Sequence, residues 1–223
     1  MLETVSQRFQ GSCMMIMQQS ESEVSFLGSG FLVHPEGYLL TAARILPQGE
    51  SLAAVSPIVG DGFLPVTRDE VSPIPLEIVS RDLARDVALL RLKPEIEINM
   101  PGDILGDPEN DLRGALLMSL GIPFGYYRIH NVIASQAILS GRVLSRSGTN
   151  LIVFDRRVQY GDIGGPLVSV AGGQVIGIVG GVFDPVELEG RSYPEGVQPI
   201  NSDLSYAASI EYGRALLERA LEK

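Results

Sequence analysis

What most constrains this chain is its punctuation: short apolar runs, each closed by a turn built on glycine or proline. Phe31-Leu32-Val33 and Tyr38-Leu39-Leu40-Thr41 flank Pro35-Glu36-Gly37, and Leu167-Val168-Ser169-Val170 and Gln174-Val175-Ile176-Gly177-Ile178-Val179 flank Gly172-Gly173. Proline presets the φ of a turn and glycine supplies φ > 0, so both segments read as β-hairpins. Between them lie Val87 to Leu92, Ala115 to Leu120, Val132-Ile133-Ala134 with Ile138-Leu139, and Leu151 to Phe154. Strands of this length, with turn residues throughout a chain of 25 Gly and 14 Pro, predict an all-β barrel or sandwich.

Helical periodicity is confined to two places. Ile210 to Lys223 puts Ile210, Leu217 and Leu221 on one stripe, with Arg214, Glu218 and Glu222 elsewhere, and Ala42 to Leu46 suits one short turn. Loops are expected at 47–57, 61–75, 94–111 and 183–199, the third dividing the chain into two halves. At 223 residues the chain can bury a core in one large domain or two small ones.

Charge and cysteine content exclude some roles. A net charge of -10 argues against nucleic-acid binding, which needs a basic surface. Cys13 is the single cysteine, so no internal disulfide forms, and its setting in Met14-Met15-Ile16-Met17 reads as a buried small hydrophobe. No apolar run approaches the roughly 20 residues of a membrane span, and Met1 to Gln10 lacks the apolar core of a signal peptide. The expectation is therefore a cytoplasmic protein without membrane association. Nothing in the sequence asks for a metal or a cofactor.

Three segments could carry chemistry: Gly28-Ser29-Gly30-Phe31 running on to Thr41-Ala42-Ala43-Arg44; Asp86-Val87-Ala88-Leu89-Leu90; and Gly161-Asp162-Ile163-Gly164-Gly165-Pro166-Leu167. In that order they resemble the triad segments of trypsin-like serine proteases of the HtrA (Deg) type. The turn Leu120-Gly121-Ile122-Pro123-Phe124-Gly125 and the closing helix also resemble that family. The resemblance runs from about Ser12 to the C-terminus. It implies two six-stranded antiparallel β-barrels, at about 12–100 and 110–208, then a helix at 209–223, with no C-terminal PDZ domain.

The departures matter more. In such proteases a serine attacks the carbonyl, a histidine takes its proton and an aspartate orients the histidine. Carried over by position, the aspartate is Asp86, the histidine position holds Arg44 and the serine position holds Ile163. A guanidinium, with a pKa above about 12, accepts no proton at neutral pH, and isoleucine has no heteroatom. His34, in the hairpin turn, and His130, in the second half, read as exposed histidines, and Ser29 and Thr41 as hairpin residues. An Arg44–Asp86 ion pair is expected in place of the histidine–aspartate pair, and if it is buried, removing one partner costs roughly 3–5 kcal/mol by stranding the other charge. The alternative leaves Arg44 in solvent and Asp86 capping a local turn. The backbone amides of Gly161 and Ile163 are expected to keep the shape of an oxyanion hole.

These readings lead to a pseudoprotease that binds a peptide or protein partner along the old groove, through Gly161, Asp162, Ile163 and the strand Gly177-Ile178-Val179-Gly180. Two alternatives stay open. One is an active endopeptidase with a non-standard site; the other is a structural module that oligomerises, as a trimer by resemblance.

Overall fold

The computed structural model describes residues 1–19, 24–49, 51–58, 60, 62–67, 71–93 and 98–222. The parts of the expected loops at 50, 61, 68–70 and 94–97, and Lys223, lie outside the described residues.

Strands β1 (Cys13–Gln19), β2 (Val24–His34), β3 (Tyr38–Thr41), β4 (Ser51–Val55), β5 (Ile74–Asp82) and β6 (Val87–Leu92) close one antiparallel barrel in the order β1-β2-β3-β6-β5-β4. Strands β7 (Leu116–Gly121), β8 (Ile133–Leu144), β9 (Asn150–Phe154), β10 (Pro166–Ser169), β11 (Gln174–Val182) and β12 (Ser205–Ser209) close a second in the order β10-β11-β12-β9-β8-β7. Helices α1 (Leu2–Phe9), α2 (Pro185–Leu188) and α3 (Ile210–Leu221) complete the chain. Closure removes sheet edges, which is one solution for a chain with so many short strands.

Both predicted hairpins form, with Gly37 at φ 79° and Gly173 at φ 61° supplying the left-handed turn residue. Other expectations are corrected. The segment 47–57 contains β4, the pieces at 132–139 belong to one long strand β8, and 183–199 contains α2. Helix α1 was not expected; Val5 and Phe9 fix it by burying one face. In α3 the buried residues are Ile210, Gly213, Leu216 and Leu217, while Leu221 is 43% exposed.

The runs are apolar without alternation because both faces of these strands are covered. In β6, Ala88, Leu90 and Leu92 point into the first barrel with Met14, Ile16, Leu32 and Leu39. Val87 and Leu89 point the other way, into a cluster with Phe31 and Leu40 of the first barrel and Leu120, Val168 and Ile178 of the second. Val5 and Phe9 of α1 and Ile210, Leu216 and Leu217 of α3 seal that cluster. The seam between the barrels is thus an apolar core in its own right. The second barrel is filled separately, by residues such as Leu117, Leu139, Phe154, Leu167 and Ile176.

Candidate functional site

At one mouth of the seam the three sequence segments converge. The 3-10 turn Ala43–Ile45 begins directly after β3, and β6 begins directly after Asp86, so pairing of Thr41 with Ala88 brings Arg44 and Asp86 together. Asp86 takes a left-handed backbone (φ 57°), which aspartate tolerates better than most residues. Its Oδ1 accepts the backbone N–H of Arg44 at 2.8 Å and its Oδ2 accepts the Arg44 Nε–H at 2.6 Å. The expected ion pair is therefore present, with Arg44 Nη2 also 2.6 Å from Oδ2. It is not buried: the side chains are 47% and 21% exposed. The energy expected for a buried pair is accordingly too large, since solvent screens such a contact.

Arg44 also reaches across the seam. Its Nη2 donates to the Tyr206 hydroxyl of β12 at 2.5 Å, and its guanidinium lies 5.8 Å from the Tyr206 ring centroid. Burial works against the charge, but hydrogen bonding and attraction to Asp86, with the hydrogen bond to the Tyr206 hydroxyl, outweigh it and raise the guanidinium pKa further. Arg44 is a permanent cation here.

The segment 156–165 is pinned from both barrels. The Ser29 hydroxyl donates to the Gly161 carbonyl at 2.7 Å and accepts the Ile122 N–H at 3.0 Å. The Ser29 N–H donates to the Ile163 carbonyl at 2.9 Å, and Thr41 Oγ1 donates to the Ser29 carbonyl at 2.6 Å. Gly164, at φ 88°, sits so close that a Cβ would stand 2.1 Å from the Ser29 carbonyl oxygen and 2.2 Å from Thr41 Oγ1. Ser29 and Thr41, read from sequence as hairpin residues, are fully buried braces of this turn.

Asp162 is 1% exposed. Its Oδ2 accepts Arg156 Nη2 at 3.1 Å and the Gln159 N–H at 2.9 Å, while Arg156 Nη1 donates to Ser119 Oγ at 2.7 Å. Burial pushes the Asp162 carboxyl above its usual range, opposed by the Arg156 charge and the Gln159 N–H. Cys13 is fully buried, and burial, with the Asp162 charge second, pushes its thiol up to about 12. Such a thiol is inert, as its apolar setting suggested.

Not every predicted site residue reaches the groove. A cavity of about 480 Å³ opens beside Arg44, lined by Ile163, Tyr206, Gly180, the segment Arg157 to Tyr160, Asp184, Glu187 and Leu188. Of the predicted binding residues, Ile163 and Gly180 line it. Gly161 and Asp162 are turned into the braces just described. Gly177 and Ile178 have ladder partners on both sides, Leu167 and Ser209 for one, Pro166 and Ala208 for the other. Val179 pairs with Ala207 on one side and bonds Gly164 and Gly165 on the other. At Gly180 the register with β12 shifts, and the Tyr206 ring lies where a Cβ would be, 2.3 Å from Cε2.

The oxyanion expectation is also corrected. Tyr160–Asp162 winds into a 3-10 turn, and the Ile163 N–H donates to the Tyr160 carbonyl at 3.3 Å. It is an internal bond of the turn. The histidines lie elsewhere: His34 stacks edge-on with Tyr38, and His130 is buried at 9% exposure, not exposed as expected. Among the described residues, the cavity lining contains no serine, threonine, cysteine, histidine or lysine. Among the described residues no cluster of His, Cys, Asp and Glu suits a metal ion.

Tyr206, Arg156 and Arg157 were missed from sequence. The Arg156-Arg157 doublet just before the turn was the available signal; Tyr206 had none, lying 162 residues from Arg44. A second cavity, about 490 Å³ between β8, β9 and the start of α3, includes none of the residues of the three segments.

Residues 28–178 match the profile described as trypsin-like peptidase domain. A probable periplasmic serine endoprotease, DegP-like, of Pseudomonas fulva is 28% identical over 164 residues, covering 73% of this chain and 30% of that protein. Serine protease HTRA1 of Xenopus tropicalis is 30% identical over 154 residues, covering 68% and 30%. The chain thus spans less than a third of these curated relatives. Among solved structures, HtrA-type protease AlgW with a tripeptide superposes at TM-score 0.69 with 21% identity, over 98% of this chain and 62% of that one. The serine endoprotease of Yersinia pestis superposes at 0.68 with 17% identity, over 100% and 67%. Several relatives are named periplasmic, which stands against the cytoplasmic expectation. No helix among the described residues is long and apolar enough to cross a membrane.

Proposed function

The chain belongs to the trypsin-like peptidase domain family, and we propose that within it this domain has exchanged hydrolysis for binding an extended peptide in the groove beside Arg44. One observation carries the reading. The groove has a protease's architecture and, among the described residues, no serine, threonine, cysteine or histidine in its lining. Arg44, already held by Asp86 and Tyr206, fills the corner where a base would act. Ile163 presents hydrocarbon where a nucleophile would stand, and its N–H is spent on Tyr160. The groove retains volume, about 480 Å³, and beyond Ile178 the strand β11 runs past the end of its β10 ladder, with a register shift against β12 at Gly180. An extended chain can add main-chain hydrogen bonds at such a point.

The test pairs chemistry with binding. The domain is expected to resist a fluorophosphonate probe, to leave casein intact and to show peptide-induced NMR shifts at Gly180 to Val182. Casein cleavage that is lost on changing a groove residue would favour an endopeptidase, in keeping with the names of the relatives, and end the binding-only reading.

A further inference from the structure

Four charged side chains line the groove, and three are accounted for differently. Arg44 is held by Asp86 and Tyr206. Asp184 caps α2, its Oδ1 accepting the N–H groups of Val186 (2.9 Å) and Glu187 (3.2 Å), and its Oδ2 accepting the Tyr193 hydroxyl. Glu187 is exposed on the same wall. Arg157 touches only neutral acceptors: its Nη1 donates to Asn201 Oδ1 and stands 3.5 Å from the Ser202 carbonyl oxygen. Among the described residues it forms no ion pair.

Those two acceptors lie on the segment that returns from α2 to β12, whereas Arg157 lies on the segment that runs from β9 to the Tyr160 turn. One guanidinium therefore ties the segment that precedes the Tyr160 turn to the segment that leads into β12. A guanidinium prefers a carboxylate to an amide or peptide oxygen, because the charge-assisted, forked pair is stronger. Asp184 is engaged elsewhere, its oxygens accepting from the helix and from Tyr193.

We propose that Arg157 is the specificity-determining residue of this groove, taking the carboxylate of an aspartate or glutamate side chain of the bound peptide in exchange for Asn201 and Ser202, so that an acidic peptide releases that tie as it enters. This rests on the peptide-binding reading given above. Glu187, which also lines the groove, sets the counterweight: its charge opposes an acidic ligand.

The experiment is fluorescence anisotropy on the full chain with two fluorescein-labelled peptides, Ala-Val-Glu-Val-Ala and the same sequence with glutamine at the centre. The glutamate peptide should bind about tenfold more tightly, roughly 1.4 kcal/mol, with the margin shrinking as salt is raised. In Arg157→Gln the two peptides should bind alike, and in Glu187→Gln the margin should widen. Thermal melts of both variants, whose substituted residues are exposed, check that the fold is kept. Equal binding of the two peptides to the unaltered chain, or a margin that survives Arg157→Gln, overturns the specificity role alone. Absence of binding by either peptide overturns the groove reading together with it.

Discussion

Replacing Arg44 by methionine isolates what the corner at the seam contributes. The change removes the Nε–Oδ2 contact at 2.6 Å and the Nη2–Tyr206 hydroxyl contact at 2.5 Å, but keeps the aliphatic stem. It also keeps the backbone N–H that Asp86 Oδ1 accepts at 2.8 Å, so the carboxylate is not stranded. With the two side chains 47% and 21% exposed, the loss belongs between an exposed pair, roughly 0–1 kcal/mol, and a buried one, roughly 3–5 kcal/mol. We expect about 1–2 kcal/mol, or a fall in Tm of about 2–8 °C for a domain of this size. Asp86→Asn is the partner variant, because asparagine also accepts the Arg44 N–H and tolerates φ 57°. The double variant should then reveal a coupling of about 1 kcal/mol that declines as salt is added. The assay is urea denaturation of the four proteins at two ionic strengths. A loss beyond about 3 kcal/mol would mean that the pair is desolvated in solution, and a coupling within about 0.3 kcal/mol of zero would mean that Arg44 is held by Tyr206 alone.

The remaining predictions concern the turn beside it. Ser29→Ala leaves both the Gly161 carbonyl and the Ile122 N–H without this buried partner, and should cost about 2–5 kcal/mol in urea denaturation; a loss under about 1 kcal/mol would show that water replaces the hydroxyl. Gly164→Ala forces a Cβ to 2.1 Å from a carbonyl oxygen at a positive φ, so soluble yield and Tm should both fall sharply, whereas Gly148→Ala, with nothing within 4 Å of its Cβ, pays for backbone strain alone. Asp162 has its pKa raised by burial, so its protonated form is favoured in the folded state, and that contribution is present in acid and fades as pH climbs from about 4. The stability of Asp162→Asn relative to the unaltered chain should therefore improve from pH 4 towards neutrality, and parallel pH profiles would contradict this. Finally, Arg44→His combined with Ile163→Ser should stay unreactive to a fluorophosphonate, because the residue 163 N–H remains bound to Tyr160; rapid labelling would show that the turn yields easily.

Sequence carried most of the architecture because the strands that matter are covered on both faces. Val87 to Leu92 and the two hairpins stand out as unbroken apolar runs with glycine or proline at their ends. Strands β4 and β12 escaped notice for the opposite reason: Ala53-Ala54 and Ala207-Ala208 at their centres have small side chains, whose strand conformation follows from their ladder partners and from space, not from propensity. Helix α1 has too few apolar positions to declare itself, and Val5 and Phe9 acquire meaning only against the seam. At the site, Arg44–Asp86 was legible because both lie in recognisable segments. What those segments could not reveal was the third member, Tyr206, or the spent amide of Ile163, since both depend on how the second barrel is wound.

The apolar seam gives this molecule an unusual independence of parts. Its filling comes from Phe31, Leu40 and Leu89 on one side, Leu120, Val168 and Ile178 on the other, with α1 and α3 as covers. Neither barrel owns that filling, so neither has a finished surface without the other, and melting should proceed as a single event. Arg44 and Ile163, by contrast, sit at the mouth and are absent from it. Cohesion and chemistry are thus carried by different residues, which leaves the mouth free to be rewritten over generations without endangering the architecture that presents it.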